Sequence, residues 1–313
     1  MNHQKEAVNK LKKKCGKEAY ILESIDNDQW KYIENSKDSH CVLMKNPYLS
    51  KDIILFGFID FPDDVDISKD LFKKIEEAAK SFSGKKLIGP INYSTWFTYR
   101  WMTQGFKEKR IYKEPSNPEY FVDAVKKMGF KEYKIYLSNL VKSNDSKHSI
   151  YKKRYEDILE KEYYFKKYTG LKIFFALKNM YDISIDSFVK NPLYSPIRYD
   201  AFKKIYVSGF NKVTKLYASV DLCFYKKEPV GFLFTFKNPF TQKIYVWKTI
   251  GIKKAFQKQG IGSAFRYIAH KTALENECNY ICHHLTYEDN IVKKLRNSND
   301  KIFKKYALFY KDL

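Results

Sequence analysis

The hydrophobic positions in the first half of the chain predict strands and amphipathic helices that follow one another. Residues 52–60 form a continuous apolar run rich in β-branched and aromatic side chains, which is typical of a buried strand. Residues 68–81 then carry apolar side chains at the 3-4 spacing of a helix, at Leu71, Phe72, Ile75, Ala78 and Ala79. Further patterns predict an N-terminal helix to about Cys15, a strand at 86–88, a helix at 118–128 and a strand at 134–137.

The second half repeats this alternation after a polar stretch at 141–147, where we expect a domain boundary. A cut near residue 147 divides the chain into domains 1–147 and 148–313. The predicted elements are a charged helix at 149–168, an apolar segment at 171–177, a helix around 195–213, strands at 216–225 and 230–236 joined by a tight turn, a strand at 243–252, a helix at 261–277, a strand at 280–285, a helix opening near Asn290 and a strand at 306–313.

Composition and charge narrow the class of protein. With 313 residues, 44% hydrophobic and 17% aromatic, the chain can bury a core and form two domains, which excludes a disordered or fibrous protein. The net charge of +22 is compatible with nucleic acid, an anionic surface or an acidic ligand. Only 6 of the 58 basic residues are Arg, the residue favoured for reading phosphates and bases, so a solvated Lys-rich surface is the simpler interpretation. A nucleotide cofactor remains a plausible polyanionic partner, and nucleic acid a less favoured one.

The five cysteines and the apolar runs bear on the compartment. An odd number of Cys without framework spacing predicts free thiols and a reducing cytoplasm. The charged start lacks the apolar core of a secretory signal, and the apolar runs fall short of the roughly 20 residues that a membrane helix needs. We therefore expect a cytoplasmic protein without a membrane span.

The stretch from the strand at 243–252 through a polar loop into the helix at 261–277 carries the most chemistry. Backbone N–H groups at a helix start lack partners within the helix and attract anions, and Gly260 and Gly262 leave room for phosphate oxygens. Neither a Walker loop nor a dinucleotide fingerprint is present. With Gln257 the two glycines match the Gln/Arg-x-x-Gly-x-Gly/Ala pattern, and the stretch resembles motif A of the GNAT acetyltransferase superfamily.

This resemblance implies an α/β (α+β) protein with GNAT-like domains, each a mixed, mostly antiparallel twisted sheet flanked by helices. It implies an N-acetyltransferase in which an amine attacks acetyl-CoA directly, at a splay between the strands 243–252 and 280–285. The backbone of Ile250 and Ile252 would hold the pantetheine, and the Ile252 N–H would stabilise the developing oxyanion. The pyrophosphate would lie on Gln257, Lys258, Gln259, Gly260, Ile261, Gly262 and Ser263, with Asn290 near the thiol.

The chain departs from the family in its acid and base residues. The Tyr often found seven residues after the Asn is replaced by Asn297, and the strand 243–252 contains no carboxylate. Tyr287, Tyr306 and Tyr310 are alternative acids, and His283 or His284 should face the splay because side chains alternate along a strand. Besides Ile252, we take His284 and Tyr306 as the catalytic candidates. The neighbouring Cys and His residues do not have the spacing of a zinc site, so no metal is expected.

The first half resembles a second, degenerate GNAT copy. The loop equivalent to the phosphate cradle is Pro62-Asp63-Asp64-Val65-Asp66, whose carboxylates would repel a pyrophosphate, so this half is not expected to bind acetyl-CoA. An aromatic cluster at Tyr93, Trp96, Tyr99 and Trp101 is compatible with base stacking, with an acceptor pocket or with plain packing. Two other functions stay open: a Fem-like transferase that takes amino acids from charged tRNA, and a non-catalytic acyl-CoA sensor or RNA-binding protein.

Overall fold

A computed structural model describes residues 2–36, 38–145, 147–209, 217–288 and 301–313. The helices of this part of the chain are α1 (Asn2–Cys15), α2 (Val65–Ser81), α3 (Tyr120–Lys127), α4 (His148–Leu159), α5 (Ile173–Ser187), α6 (Tyr199–Gly209) and α7 (Ile261–Glu275). Its strands are β1 (Trp30–Ser36), β2 (Ser39–Met44), β3 (Ile53–Asp60), β4 (Lys86–Gly89), β5 (Trp101–Gln104), β6 (Lys131–Lys142), β7 (Tyr163–Thr169), β8 (Ala218–Tyr225), β9 (Glu228–Lys237), β10 (Ile244–Ile252), β11 (Tyr280–Tyr287) and β12 (Lys301–Asp312). None of these helices is both long and apolar enough to cross a bilayer.

All the described strands join one mixed sheet in the order β1-β2-β3-β4-β12-β6-β11-β10-β9-β8-β7, with β5 paired to β12 beside this path. Two neighbouring pairs are parallel, β3 with β4 and β10 with β11. Each parallel pair is connected by one helix, α2 in the first half and α7 in the second. The other described pairs are antiparallel, which confirms the mixed, mostly antiparallel sheet.

The two halves exchange strands at the centre of this sheet. β12, at the end of the chain, lies between β4 and β6 of the first half. β6 in turn pairs with β11 of the second half. Each half is thus completed by a strand of the other, which brings loops of the first half against the carboxyl ends of β10 and β11. The boundary near residue 147 lies between β6 and α4, and the division there stays a prediction.

Helices cover both faces of the sheet because consecutive strand residues point to opposite sides. In β2, Cys41 and Leu43 join the core under α2 and α3, whereas Val42 and Met44 join the core under α1. In the second half α5 and α6 cover one face, and α4 and α7 cover the other. This burial on both sides explains why residues 52–60 form a continuous apolar run in the sequence.

The sequence prediction is wrong at the start of the second half. The charged helix expected over 149–168 ends at Leu159, and Tyr163–Thr169 forms β7, paired antiparallel with β8 along its whole length. A turn separates them, in which Glu162 adopts a φ of +63°. The segment 171–177 opens α5, and strands β1, β2 and β5 were not predicted. The end of the helix expected to 213 and the helix expected near Asn290 lie outside the described residues.

A close approach between β3 and the loop after β4 requires glycine at position 57. A Cβ added there would lie 2.2 Å from the Ile91 carbonyl oxygen and 2.8 Å from Asn92 Oδ1. We expect Gly57→Ala to lower the free energy of unfolding by about 2–3 kcal/mol, because the backbone must shift. Urea unfolding measures this, with Gly262→Ala as control, since its Cβ would meet only Ile252 Cδ1 at 3.9 Å. Equal stability of the two variants would contradict this account of the contact.

Candidate functional site

Two parallel strands separate at the centre of the second half. β10 and β11 pair from Ile244↔Tyr280 to Trp247↔His283, and both strands continue beyond this point without pairing to each other. Both also shift register against their outer neighbours here, β10 between Trp247 and Thr249 and β11 between His283 and Thr286. These irregularities turn the strand ends apart and leave a V-shaped opening.

The inner edge of β10 offers unpaired backbone groups to this opening. The Lys253 N–H bonds to the Val230 carbonyl of β9 at 2.9 Å. Because backbone groups alternate between the two edges of an antiparallel strand, the N–H and C=O of Ile250 and Ile252 point the other way, toward the splay. The Ile252 carbonyl there accepts a 3.0 Å hydrogen bond from Gln257 Nε2.

Helix α7 begins at the mouth of the splay with an uncapped N-terminus. Gly260, the N-cap residue, has a φ of +97°, no side chain caps the first turn, and a Cβ at this position would meet nothing within 4 Å. No side chain therefore caps the first N–H groups of the helix, of which that of Ser263 bonds to the Gly260 carbonyl at 3.0 Å, and the positive end of the helix dipole lies behind them. The corresponding helix α2 is different, because its N-cap Asp64 accepts a 2.9 Å hydrogen bond from the Ile67 N–H. The first half thus fills with its own carboxylate the place that the second half leaves open.

Side chains of the loop before α7 hold this geometry. Gln259 donates to the Ala255 carbonyl at 3.0 Å and accepts a hydrogen bond from the Tyr163 hydroxyl of β7. Lys258, with a φ of +65°, is exposed, whereas Ile261 is 1% exposed and packs into the core under α4 and α7. Of these residues Ile261 can offer only its backbone to a ligand.

A cleft of about 2050 Å³ extends from α7 across the splay to loops of the first half. The predicted residues that line it are Ile250, Ile252, Gln257, Lys258, Gln259, Gly260, Gly262, Ser263, His283 and His284. Arg266, one turn into α7, also lines the cleft and donates to the Tyr151 hydroxyl at 2.7 Å. The structure therefore brings together the predicted cofactor loop and the predicted histidines. Asn290 and Asn297 lie outside the described residues.

His284 lies at the splay within a buried hydrogen-bond network. Its Nδ1 is 3.0 Å from Ser138 Oγ on β6, and its Nε2 has no partner among the described residues. The side chain is 4% exposed, and burial, reinforced by nearby Lys248, Arg100 and Lys304, lowers the pKa of His284 well below its usual value. The imidazole is accordingly neutral at pH 7.

Tyr306 lies behind His284 and does not line the cleft. Its ring centroid is 6.4 Å from that of His284, and its hydroxyl donates to Glu114 Oε2 at 3.0 Å. Burial raises the pKa of Tyr306 far above its usual value. Lys304 donates to both Glu114 oxygens at 2.9 Å, in a pair whose side chains are 1% and 3% exposed. A role for Tyr306 as acid stays a prediction, and its hydroxyl is linked to the cleft lining through Glu114. Among the other tyrosines named above, Tyr287 lines the cleft.

Two cationic residues of the cleft were not predicted. Lys248 occupies the irregular position of β10, and burial together with Arg100 lowers the pKa of Lys248 to about 7. Arg100, in the loop before β5, stacks between the rings of Tyr99 and Tyr136, at 3.9 and 4.1 Å from their centroids. No local motif marks either residue, because the strand exchange and the β10 irregularity bring them to the cleft.

The aromatic cluster predicted at 93–101 divides between packing and the cleft. Trp101 packs against Phe121 and Phe309 in the core. Trp96 donates its Nε1 to the Ser195 carbonyl at 2.8 Å, and Tyr99 faces Arg100 in the cleft. Among the described residues no group of three or more His, Cys, Asp or Glu side chains could hold a metal ion.

Comparison with known proteins gives matches at the level of structure. No family model matches the sequence, and no curated protein matches it either. A tandem GNAT protein from the clavulanic acid biosynthesis pathway aligns over 93% of this chain and 86% of its own, with 8% identity and a TM-score of 0.50. L-PGS from Bacillus licheniformis aligns over 98% and 91%, with 11% identity and a TM-score of 0.45 that supports no conclusion.

A GCN5-related glucosamine N-acetyltransferase region of a fungal multi-domain GH3 β-N-acetylglucosaminidase aligns over 88% of this chain and 31% of its own. The identity is 9% and the TM-score 0.52. At such identities the likeness concerns the fold alone. This fold agrees with that of the clavulanic acid pathway protein and of the fungal region. It also agrees with the parallel strand pairs connected by α2 and α7 and with the splay. The chain therefore has a tandem GNAT-like fold, whose two units share one continuous sheet.

Proposed function

We propose that the protein is an acetyl-CoA-dependent N-acetyltransferase whose second half holds acetyl-CoA. The observation that carries this proposal is the continuity of the unpaired inner edge of β10 with the uncapped N-terminus of α7. An extended chain of amide groups followed by a pyrophosphate matches these two features in the same order.

The residues present fit such a co-substrate. The backbone of Ile250 and Ile252 pairs with the pantetheine arm, and the N–H groups around Gly260 and Gly262 receive the pyrophosphate. Exposed Lys258 adds positive charge beside them. When bound, acetyl-CoA supplies an activated acyl group as its thioester. The Ile252 N–H, directed toward the splay, is the donor available to the carbonyl oxygen of that thioester.

His284 is the best-placed group to take a proton from the attacking amine. It lines the cleft at the splay and is neutral, because burial lowers its pKa well below the usual value. A neutral imidazole with an unpartnered Nε2 can accept a proton without first losing one. Ser138 Oγ fixes the ring through Nδ1, and when Nδ1 donates to Ser138 the Nε2 lone pair is left to take the proton.

We expect His284→Ala to lower kcat about 100-fold or more, with the Kd for acetyl-CoA unchanged within about threefold. The value of kcat is measured as release of the CoA thiol at saturating acetyl-CoA and amine acceptor. The Kd for acetyl-CoA is measured by calorimetry. His283→Ala is the matched control, since His283 precedes it on β11 and its ring packs on Trp247 at 5.0 Å. A loss of kcat in His283→Ala alone would assign the base to His283 instead.

Calorimetric titration of acetyl-CoA into the full chain tests the proposed function. We expect one site with micromolar Kd, competed by CoA. Absence of binding at millimolar acetyl-CoA would overturn the proposal and direct the search to charged tRNA, whose binding should weaken steeply with salt.

A further inference from the structure

Arg100 is buried in the cleft, and no carboxylate in the described part of the chain forms an ion pair with it. The residue is 7% exposed, and neither Nε nor Nη1 has an acceptor among the described residues. Stacking between Tyr99 and Tyr136 satisfies the faces of the guanidinium but not its edge. A buried charged donor without an acceptor is costly, so the site is one that an anionic ligand would complete.

Lys248 adds a second cation at the same place. Its Nζ donates to the Lys113 carbonyl at 3.3 Å, and burial followed by Arg100 lowers the pKa of Lys248 to about 7, with opposing effects of Cys282 and Glu114 and a weaker lowering by Lys113. Glu114, the carboxylate in this group, is already bound by Lys304 through both oxygens. Four cationic residues, Arg100, Lys113, Lys248 and Lys304, therefore surround the Glu114 carboxylate, which Lys304 already engages.

This cationic pair lies directly beside the splay. Lys248 follows Trp247, the last residue of β10 that pairs with β11, and both Lys248 and Arg100 lower the pKa of His284. A carboxylate held by the pair would place an amine on the adjacent carbon near the candidate base. Polyamines and aminoglycosides would meet charges of their own sign at the same position.

We propose that Arg100 and Lys248 bind the carboxylate of the acceptor, and that the acceptor is an α-amino acid. The planar edge of a guanidinium stacked between two rings matches a planar carboxylate. One permanent cation and one that titrates near neutrality suit a single negative charge better than the double charge of a phosphate ester. This inference rests on the proposed function for the fate of the amine, whereas the carboxylate site can be tested without acetyl-CoA.

The first test uses the N-acetylated amino acids as probes, because they keep the carboxylate and lack a titrating amine. Calorimetry compares each N-acetyl amino acid with its N-acetyl amide on the full chain. We expect at least one acid to bind about 100-fold more tightly than its amide at pH 6.5. Arg100→Gln should abolish this difference and Arg100→Lys should retain part of it. An unchanged midpoint of urea unfolding in both variants shows that the fold is intact, whether or not acetyl-CoA binds.

The pH dependence identifies the contribution of Lys248. A bound carboxylate favours the protonated form of the Lys248 amine. The affinity of the protein for the acid is therefore full below about 7, the pKa of Lys248 without ligand, and it falls as the pH rises above that value. The Kd of the tightest acid should rise about tenfold between about pH 6.5 and 8.5, and Lys248→Met should make it flat. A wild-type profile already flat over this range would overturn the role of Lys248.

The outcomes separate the two proposals. Acetyl-CoA binding together with equal affinity for acids and amides, or with tighter binding of polyamines or of amino-sugar phosphates, would overturn the carboxylate site and leave the acetyltransferase standing. Selective binding of acids without any binding of acetyl-CoA would overturn the acetyltransferase proposal and leave the carboxylate site standing.

Discussion

Gly260→Asp is expected to weaken acetyl-CoA binding by about 100-fold or more. The new carboxylate would stand at the uncapped N-terminus of α7, where a Cβ meets nothing within 4 Å, and would face the pyrophosphate. At a separation near 4 Å two unit charges repel by about 4 kcal/mol under an effective dielectric constant of about 20, which exceeds the roughly 2.8 kcal/mol of a 100-fold change. The Asp side chain would also cap the helix as Asp64 does in α2. Calorimetry of the variant measures the loss.

Gly260→Asn is the matched control for this prediction. Any residue with a Cβ is strained at the φ of +97°, but Asn has the same shape as Asp and no charge. We expect its Kd to stay within about tenfold of the wild type. Equal losses in the two variants would show that backbone conformation and not the anion site controls binding.

Glu114→Gln is expected to lower the free energy of unfolding by about 3–5 kcal/mol. The substitution keeps an acceptor for the Tyr306 hydroxyl but leaves the Lys304 ammonium, 1% exposed, without its carboxylate. Lys304 lies on β12, the strand that crosses into the first half, and Glu114 lies in the loop after β5, so the exchange of strands would be weakened as well. Urea unfolding at pH 7 measures the change.

Two further variants give this stability prediction its controls. Glu108→Gln removes a carboxylate from the 3.6 Å contact with Lys301, where the side chains are 39% and 71% exposed, and should cost less than about 1 kcal/mol. The double variant Glu114→Gln with Lys304→Met removes both charges and should recover most of the loss. A double variant no more stable than Glu114→Gln would contradict the interpretation as an uncompensated buried charge.

The parts of the fold that were predicted correctly are those encoded in contiguous residues. The runs at 52–60 and 243–252 are mostly apolar, with Lys248 the charged residue inside the second, because helices cover both faces of the sheet; each run precedes an amphipathic helix. β7 was missed because its exposed Lys166 and Lys167 continue the charged pattern of α4. The place of β12 in the first half depends on pairing between distant residues, for which the pattern of side chains carries no local signal.

In the candidate site, too, the residues that could be predicted are consecutive in the sequence, and the others are brought together only by the fold. The loop 257–263 could be recognised because a helix start binds anions through backbone groups of consecutive residues. Arg100 and Lys248 could not, because a loop of the first half, the exchanged strands and a register shift bring them together. Strand β10 contains no carboxylate, but it carries Lys248, whose pKa is about 7, at the register shift between Trp247 and Thr249.

The most direct test of acetyl-CoA binding at the start of α7 is an NMR titration with acetyl-CoA of the protein labelled with ¹⁵N at its 12 glycines. Gly260 and Gly262 report on the start of α7, whereas Gly57 and Gly89 report on the first half. The account predicts that acetyl-CoA shifts the amide signals of Gly260 and Gly262 and leaves those of Gly57 and Gly89 in place, with assignments from single Gly→Ala variants. Shifts confined to the first half, or signals that do not move at saturating acetyl-CoA, would contradict it.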